Sequence, residues 1–367
     1  MAMAITRTPL FDVHCHLQDN RILDTAPSLI KAATKAGVKW MAVNGTSEAD
    51  WEKVRQMSEH NSCIIPCFGL HPWWASQRSK DWLSKLRCML QSVPCSTVGE
   101  IGLCQSIRGR EVEESIQVDV LRQQLELARE LERPAAIHCV RAFRSLQGLL
   151  EEMGSFPAGI ILHSYSGSPE FVKVFAKHGA YFSFSGFNTH VKPQKARRIW
   201  QQVPRDRLLL ETDCPDALPQ VDDPTALFWV PGDPAATAAV PSSNSDCCHE
   251  EELHSKSAGN GRGGIGKGAL NQPANLRAIL SHVASLLEAS DTWKSFGRNS
   301  GTMKEERERE RESILGSCFC SWTFCIEFYG RDDDKQVICH KSQMNLQFSD
   351  VKLLSLQVCD CLCCHQV

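Results

Sequence analysis

Short apolar runs alternate with longer amphipathic segments through the first 213 residues, and this alternation limits the folds open to the chain. Eight apolar runs occur in the order PLFDVHC, VKWMAVNG, IIPCFGL, STVGEIGL, AAIHC, GIILHSY, AYFSFSG and RLLLETD. Segments with helical periodicity separate them, among them APSLIKAATKAG, SEADWEKVRQMSEH, VDVLRQQLELARELE and SPEFVKVFAKHG. Strands that alternate with helices pair in parallel, and eight such units close into a barrel. The sequence therefore predicts an α/β fold, a TIM-like (β/α)8 barrel.

A long insertion separates the eighth strand from the last helix of the barrel. The segment after LLLETDCP is rich in Asp, Pro, Ala and Ser, and the helical pattern NLRAILSHVASLLEAS follows only after residue 270. We expect residues 217–270 to form a flexible loop on the carboxyl face, where barrel insertions usually collect. Within it, GRGGIGKG nearly matches a phosphate-binding loop, but Gly268 replaces the required Ser or Thr and no strand precedes it. We interpret this stretch as a linker.

The alternation of apolar runs and amphipathic segments is lost after about residue 290. This part contains the mixed-charge run KEERERERE and eight of the 18 cysteines. Mixed-charge runs are typical of solvated or disordered segments. The last cluster lacks the paired spacing of a zinc site; its members are Cys359, Cys361, Cys363, Cys364 and His365. We therefore predict a barrel domain over residues 1–290 and a charged, cysteine-rich tail over residues 291–367 that is disordered or atypical.

The composition of the chain limits the cellular compartments and the binding partners to be expected. The formal net charge is -3, so no strong basic field favours nucleic acid, and a polyanion must be bound by a local patch or by metal. The amino-terminal segment is too short and polar for a secretory signal, and no apolar run is long enough to span a bilayer. Cysteines before residue 250 lie mostly singly in apolar runs, which is typical of reduced thiols. We expect a cytoplasmic protein, or a nuclear one, without a membrane partner or an obligate protein partner.

Six candidate metal ligands fall at or just past the ends of predicted strands. They are His14, His16, Glu100, His138, His163 and Asp213. Each alone has a structural explanation, such as a buried histidine or a helix cap. Barrels of this class, however, build active sites at the carboxyl ends of their strands, so the shared position favours one joint site. Four imidazoles and two carboxylates exceed the needs of one tetrahedral zinc and suit two metals that share a carboxylate.

The first two histidines have a spacing that suits a common ligand role. His14 and His16 are separated by one residue at the end of the first predicted strand. Side chains at positions i and i+2 of a strand point the same way. Both imidazoles are therefore expected to reach one ion.

The same segments resemble the TatD family of metal-dependent deoxyribonucleases and hydrolases, which have amidohydrolase-like barrels. The matching pieces are FDVHCHL, CFGLHPWW, VGEIGL, IHCVRA, LHSYSG and LLLETDCP, in order over residues 10–216, and LNQPANLRAILSHVASLLEA further on. The resemblance implies hydrolysis of a DNA phosphodiester bond, from a 3′ end, by a water activated by two metals. The expected cofactors are two divalent ions (magnesium, manganese or zinc), and the expected partner is a DNA or nucleotide substrate.

The resemblance also implies a role for each ligand. His14 and His16 would hold the first metal together with Asp213. His138 and His163 would hold the second metal, and Glu100 would bridge the two. Asp213 and Glu100 are the expected catalytic residues. Asp213 can orient the attacking water and accept its proton.

Further residues near the same rim have two possible roles each. His71 in GLHP and Arg141 in HCVRA are candidate phosphate contacts, with an ordinary structural role as the alternative. Trp73 and Trp74 could stack bases, although packing beneath a loop is favoured. Cys104 stands where the resemblance leads us to expect an acid, a departure expected to lower activity or to shift the metal preference towards a softer ion.

Two other functions remain open. A barrel with the same metals could hydrolyse a small ester, amide or lactone, although the candidate phosphate contacts favour a nuclease. A barrel with weakened catalysis could serve as a binding module, and Cys104 and the altered tail are the features in favour of that alternative.

Overall fold

A single parallel sheet organises the molecule. The structure is a computed structural model that describes residues 9–234 and 269–288, together with the backbone of two short strands, Glu327–Phe328 and Val337–Ile338, which pair antiparallel. Each strand of the main sheet pairs with the next along the chain. The strands are β1 (Leu10–Cys15), β2 (Val38–Asn44), β3 (Ile64–Phe68), β4 (Thr97–Cys104), β5 (Ala135–Val140), β6 (Ile160–Leu162), β7 (Ala180–Phe184) and β8 (Leu208–Leu210). All eight coincide with the predicted apolar runs, so the predicted strand order is confirmed.

Helices connect successive strands. They are α1 (Ala26–Lys35), α2 (Trp51–His60), α3 (Trp82–Ser92), α4 (Glu114–Glu130), α5 (Phe143–Met153), α6 (Pro169–Lys177), α7 (Pro193–Trp200) and, after β8 and the insertion, α8 (Leu276–Glu288). Short 3-10 turns follow β3 at Pro72–Gln77 and β7 at Gly186–His190. The alternation of parallel strands and helices confirms the predicted (β/α)8 architecture.

The seam of the barrel lies between β1 and the segment that follows β8. The Asp213 N–H donates to the His14 carbonyl oxygen at 2.9 Å. The buried carboxylate of Asp12 accepts the Thr212 N–H at 2.8 Å and the Thr212 hydroxyl at 2.5 Å. These bonds join the first strand to the segment after the last strand, and they place two of the predicted metal ligands side by side.

Alternate residues of the strands face two separate cores. Leu208 and Leu210 belong to the large core between sheet and helices, whereas Leu209 belongs to a smaller cluster. The buried members of that cluster are Val13, Ala42, Ile65, Cys67, Ile161 and Leu209. Because successive side chains of a strand point to opposite faces of the sheet, the smaller cluster fills the interior of the barrel.

Replacing Leu209 with alanine removes apolar volume from this interior, where the side chain is fully buried. We expect the free energy of unfolding to fall by about 2–5 kcal/mol, the range for buried leucine replaced by alanine. Chemical denaturation measures the change. Ile107→Ala is the control because Ile107 is 90% exposed, and its effect should stay within about 0.5 kcal/mol. An equal loss in both variants would contradict the interior position of Leu209.

The predicted insertion is described only at its two ends. The Asn271 side-chain amide donates to the carbonyl oxygens of Thr212 and Ala217 at 2.9 and 3.1 Å. The segment next to β8 is thereby tied to the start of the last helix. Most of the insertion, with GRGGIGKG, and the terminal cysteine cluster lie outside the described residues, so their predicted flexibility stays a prediction.

The cysteines and the helices of the described residues bear on two expectations from composition. All eight cysteines within the described residues carry free thiols, as expected from their positions. Among those same residues, none of the helices combines the length and apolar character that a membrane span requires. The cellular compartment stays a prediction.

Candidate metal centre

The six predicted metal ligands meet at one end of the barrel. They are His14 and His16 at the end of β1, Glu100 in β4, His138 in β5, His163 directly after β6, and Asp213 three residues after β8. Most of these side chains are buried, and those of His16 and His138 are 14% and 13% exposed. The predicted convergence of six distant positions is therefore present in the fold.

The position of Glu100 differs from the expectation in one respect. The residue was expected at the end of its strand, but β4 continues to Cys104. The pairing of β4 with β5 shifts register between Val98 and Ile101, which flank Glu100. Gly102 has a φ of 146°, and a Cβ there would lie 2.0 Å from the His138 carbonyl oxygen. Glycine at this position therefore allows the close approach of β4 to β5 beside the site.

Glu100 lies between two pairs of histidines. Its Oε2 is 3.7 Å from His14 Nε2 and 3.4 Å from His16 Nε2. Its Oε1 is 3.0 Å from His138 Nδ1 and 2.8 Å from His163 Nε2. Each carboxylate oxygen thus faces a different pair, the arrangement that a carboxylate shared by two ions requires.

A first group of ligand atoms consists of His14, His16 and Asp213. The two Nε2 atoms are 3.2 Å apart, so the side chains of the H-x-H pair do point the same way. Asp213 Oδ1 lies 3.6 Å from His16 Nε2 and 4.0 Å from His14 Nε2. Asp213 has a left-handed backbone with φ 53°. Such conformations are uncommon outside glycine and cluster at functional sites.

A second group lies on the other side of Glu100. His138 Nδ1 and His163 Nε2 are 3.2 Å apart. His71 Nε2, in a side chain only 4% exposed, is 3.4 Å from Glu100 Oε1. The Trp73 N–H donates to His71 Nδ1 at 3.2 Å, so the proton of the neutral ring is on Nε2 and faces Glu100. This geometry makes His71 a support for Glu100, within the cluster rather than at its rim.

His14 and Glu100 have protonation states that suit cation binding. Burial lowers the pKa of His14 to about 3, which keeps the ring in the neutral form that ligates metal. Burial alone would raise the pKa of Glu100, but the adjacent histidines, first His71 and His163, hold it well below its ordinary value. Glu100 is therefore an anion among imidazole nitrogens, a donor set that fits divalent ions.

His16 carries a proton that a metal would displace. Burial opposes a positive charge on the ring, yet the carboxylates of Asp213 and Glu100 outweigh it and raise the pKa of His16 to about 10. Ligating imidazoles must be deprotonated, so binding of an ion at the first group releases this proton. Neighbouring acidic groups, Glu100 among them, raise the pKa values of His138 and His163 against burial, so an ion bound there would displace protons.

Glu211 is a buried acid that the sequence analysis did not select. Its Oε1 accepts the Ser164 N–H at 2.7 Å, and its Oε2 accepts the Ser183 hydroxyl. The same Oε1 lies 3.5 Å from His163 Nδ1, on the side of the ring opposite to Glu100. A carboxylate behind a ligating histidine fixes the ring orientation. The signal was available, since LLLETD places this acid directly after an apolar run and two residues before Asp213.

Glu211→Gln tests this positioning role. The amide is close in shape but uncharged, and we expect metal affinity at the second group to fall by about 10- to 100-fold, as for other partners of ligating histidines. Calorimetric titration with manganese measures the change. Glu111→Gln, at an exposed position of the chain, is the control. Unchanged affinity in the Glu211 variant would show that His163 is oriented without it.

Cys104 lies beside His138 rather than among the closest ligand atoms. Its thiol is 3.1 Å from the Ser106 hydroxyl and accepts the Trp73 indole N–H at 3.3 Å. The Cys104 N–H donates to the side-chain oxygen of Gln117 at 2.7 Å. Burial opposes ionisation, but His138 and then Ser106 lower the pKa of the thiol to about 6. Cys104 therefore adjoins one ligand, and its predicted effect on metal preference stays a prediction.

One arginine covers both tryptophans at the mouth of the barrel. The Arg108 guanidinium lies 4.2 Å from the ring centroid of Trp73 and 4.9 Å from that of Trp74. Trp74 also packs against the main core. These contacts support the favoured packing role over base stacking. Arg141 is exposed directly after β5 with φ 57°, and its predicted phosphate contact stays a prediction.

Comparisons with known proteins identify the family of the chain. The sequence model of the family described as TatD related DNase matches residues 11–299. The uncharacterized metal-dependent hydrolase YabD of Bacillus subtilis (strain 168) is 30% identical over 210 residues, which are 57% of this chain and 82% of that protein. The 3'-5' ssDNA/RNA exonuclease TatD of Erwinia tasmaniensis is 28% identical over 214 residues, 58% of this chain and 82% of that one.

A solved structure supports the fold. The crystal structure of YJJV, a TatD homolog from Escherichia coli K12, aligns with a TM-score of 0.62 at 21% identity. The alignment covers 86% of this chain and 96% of that one. At this identity the likeness concerns the barrel and not the substrate.

Proposed function

We propose, since the chain belongs to the family of TatD related DNases, that it is a metal-dependent deoxyribonuclease that hydrolyses DNA phosphodiester bonds from a 3′ end. The observation that carries this proposal is the position of Glu100, whose two oxygens face separate histidine pairs. Two divalent ions, of magnesium, manganese or zinc, would complete the centre. The substrate is DNA or a nucleotide phosphodiester.

The proposed ligands divide between the two ions as the distances suggest. His14, His16 and Asp213 would hold the first, and His138 and His163 the second, with Glu100 shared. When bound, such ions lower the pKa of water and offset negative charge on the attacking and leaving oxygens of a phosphodiester.

The side chains around the ions have separate tasks in this reaction. The Asp213 side chain keeps 12% exposure, so its carboxylate reaches solvent and can accept the proton of the attacking water. Glu100 is nearly inaccessible and anionic, and it lies between the two groups. His71 orients Glu100 from within the cluster, and Glu211 orients His163 from behind its ring.

Digestion of end-labelled DNA tests the proposal. Metal-loaded protein should shorten a 5′-labelled single strand stepwise, because removal of nucleotides from the 3′ end leaves the label on a shrinking product. A chelator should stop the reaction. Absence of shortening with magnesium, manganese and zinc, together with turnover of a panel of small esters, amides and lactones, would instead identify the alternative barrel hydrolase. A chain that holds no metal and turns over neither substrate class would be the binding module.

A further inference from the structure

A cavity of about 210 Å³ opens directly beside the proposed metal centre. Three of the proposed ligands line it, namely His138, His163 and Asp213. The lining of the cavity is largely apolar and includes Phe187 and Val191. A group bound here therefore lies next to the position where the scissile phosphate must sit.

Phe187 is an unusual member of this lining. Its side chain is 52% exposed, whereas most large apolar side chains of the described residues are buried. It lies in the 3-10 turn Gly186–His190 after β7. Of the other large exposed apolar side chains in the described part of the chain, Ile107 and Phe228, neither lines this cavity. An aromatic face is therefore presented to solvent at the edge of the site.

The turn that carries Phe187 is held in place from several sides. The Ser185 N–H donates to Asn188 Oδ1 at 2.9 Å, and the Asn188 amide donates to the Tyr165 carbonyl oxygen at 3.3 Å. A Cβ at position 186 would lie 1.7 Å from the Ala217 carbonyl oxygen, so Gly186 permits a contact that no other residue allows. The ring is thus positioned by an anchored turn, which limits the entropy lost when a ligand binds.

A positive charge borders the same cavity. Lys195, in the first turn of α7, is exposed and contributes to the lining. The cavity therefore combines an aromatic face, an apolar wall and a cation, beside groups that would bind phosphate. Nucleobases stack on aromatic side chains through their π-faces with little regard to sequence, and phosphates attract cations.

We infer that this cavity seats the terminal nucleoside of a DNA strand, with its base stacked on Phe187 and the adjoining phosphate near Lys195. The inference rests on the proposed function, because it places that nucleoside next to the bond to be cleaved. Phe187 is then a specificity-determining residue. It favours strand ends that carry an unpaired base over ends that lack one.

Single strands that differ only at the 3′-terminal nucleotide test the inference. One substrate carries a base there, and the other carries an abasic sugar. We expect wild-type protein to prefer the first by about tenfold in kcat/KM, in line with stacking of one base on an aromatic residue. Phe187→Ala should bring the ratio close to one, and Phe187→Trp, which keeps an aromatic face, should preserve it. Phe228→Ala, at another exposed phenylalanine outside the cavity, should also preserve it.

Binding gives a readout independent of turnover. With 2-aminopurine as the 3′-terminal base, stacking on Phe187 should quench its fluorescence when the strand binds protein containing Glu100→Gln, and the additional change Phe187→Ala should abolish the quenching. Equal cleavage of both substrates by wild-type protein, or a preference that survives Phe187→Ala or is lost in Phe228→Ala, overturns this inference alone. No cleavage of either substrate, with no binding, overturns the proposed function itself.

Discussion

Glu100→Gln should abolish DNA hydrolysis almost completely. The loss in rate should exceed about 100-fold, the upper end of the effect of removing a residue that supports a metal ligand. Glutamine has one oxygen and one NH2 group, so only one of the two histidine pairs would still face an acceptor, and the negative charge between the ions would be gone. Initial rates on end-labelled DNA and the metal content of the purified protein measure the two effects.

The control for this variant is Glu111→Gln, at an exposed position outside the site. It removes one carboxylate from the same stretch of chain and should leave both the rate and the metal content unchanged. A Glu100→Gln protein that keeps a rate close to that of Glu111→Gln would exclude a shared carboxylate as the centre of the site.

Paired histidine substitutions should remove the two ions separately. If each pair faces its own ion, the double variant His14→Ala/His16→Ala should lose one of about two metal equivalents per chain, and His138→Ala/His163→Ala should lose the other. Each variant should also lose hydrolysis, because neither group can substitute for the other in a two-metal reaction. Elemental analysis after dialysis and DNA digestion measure the two results.

His60→Ala, at the exposed end of α2, is the matched control and should retain both ions. Retention of both ions by either double variant would contradict the assignment of its pair. Loss of both ions from both double variants would show that the two positions fill only together, through Glu100. A wild-type chain without bound metal would favour the binding module.

Most of the fold could be predicted and the candidate ligands could be selected from the sequence, because both depend on local patterns. An apolar run flanked by helical segments predicts a parallel strand wherever it occurs, and residues at its carboxyl end share one face of a barrel. His14, His16, His138, His163 and Asp213 could be selected in this way. Glu100 was selected too, although its strand extends to Cys104.

The supporting roles of Glu211 and His71 could not be predicted in the same way. Glu211 acts on His163 through a 3.5 Å approach, and His71 reaches Glu100 from another loop. Neither approach follows from spacing along the chain, because each depends on how two strands and their loops are placed against each other. The exposure of Phe187 could not be predicted either, because the position of an apolar residue directly after an apolar run does not show whether its side chain is buried.

The sequence by itself determined the order of eight strands, the helices between them and the selection of the six side chains that meet at one end of the barrel, because periodicity and position along a strand are properties of short segments. Only the tertiary structure decided which oxygen of Glu100 faces which histidine pair and what lies behind each ring. The reason is distance along the chain: the bond from Thr212 to Asp12, which sets Asp213 beside His14, joins residues 200 positions apart. Such a contact exists only once the barrel has closed.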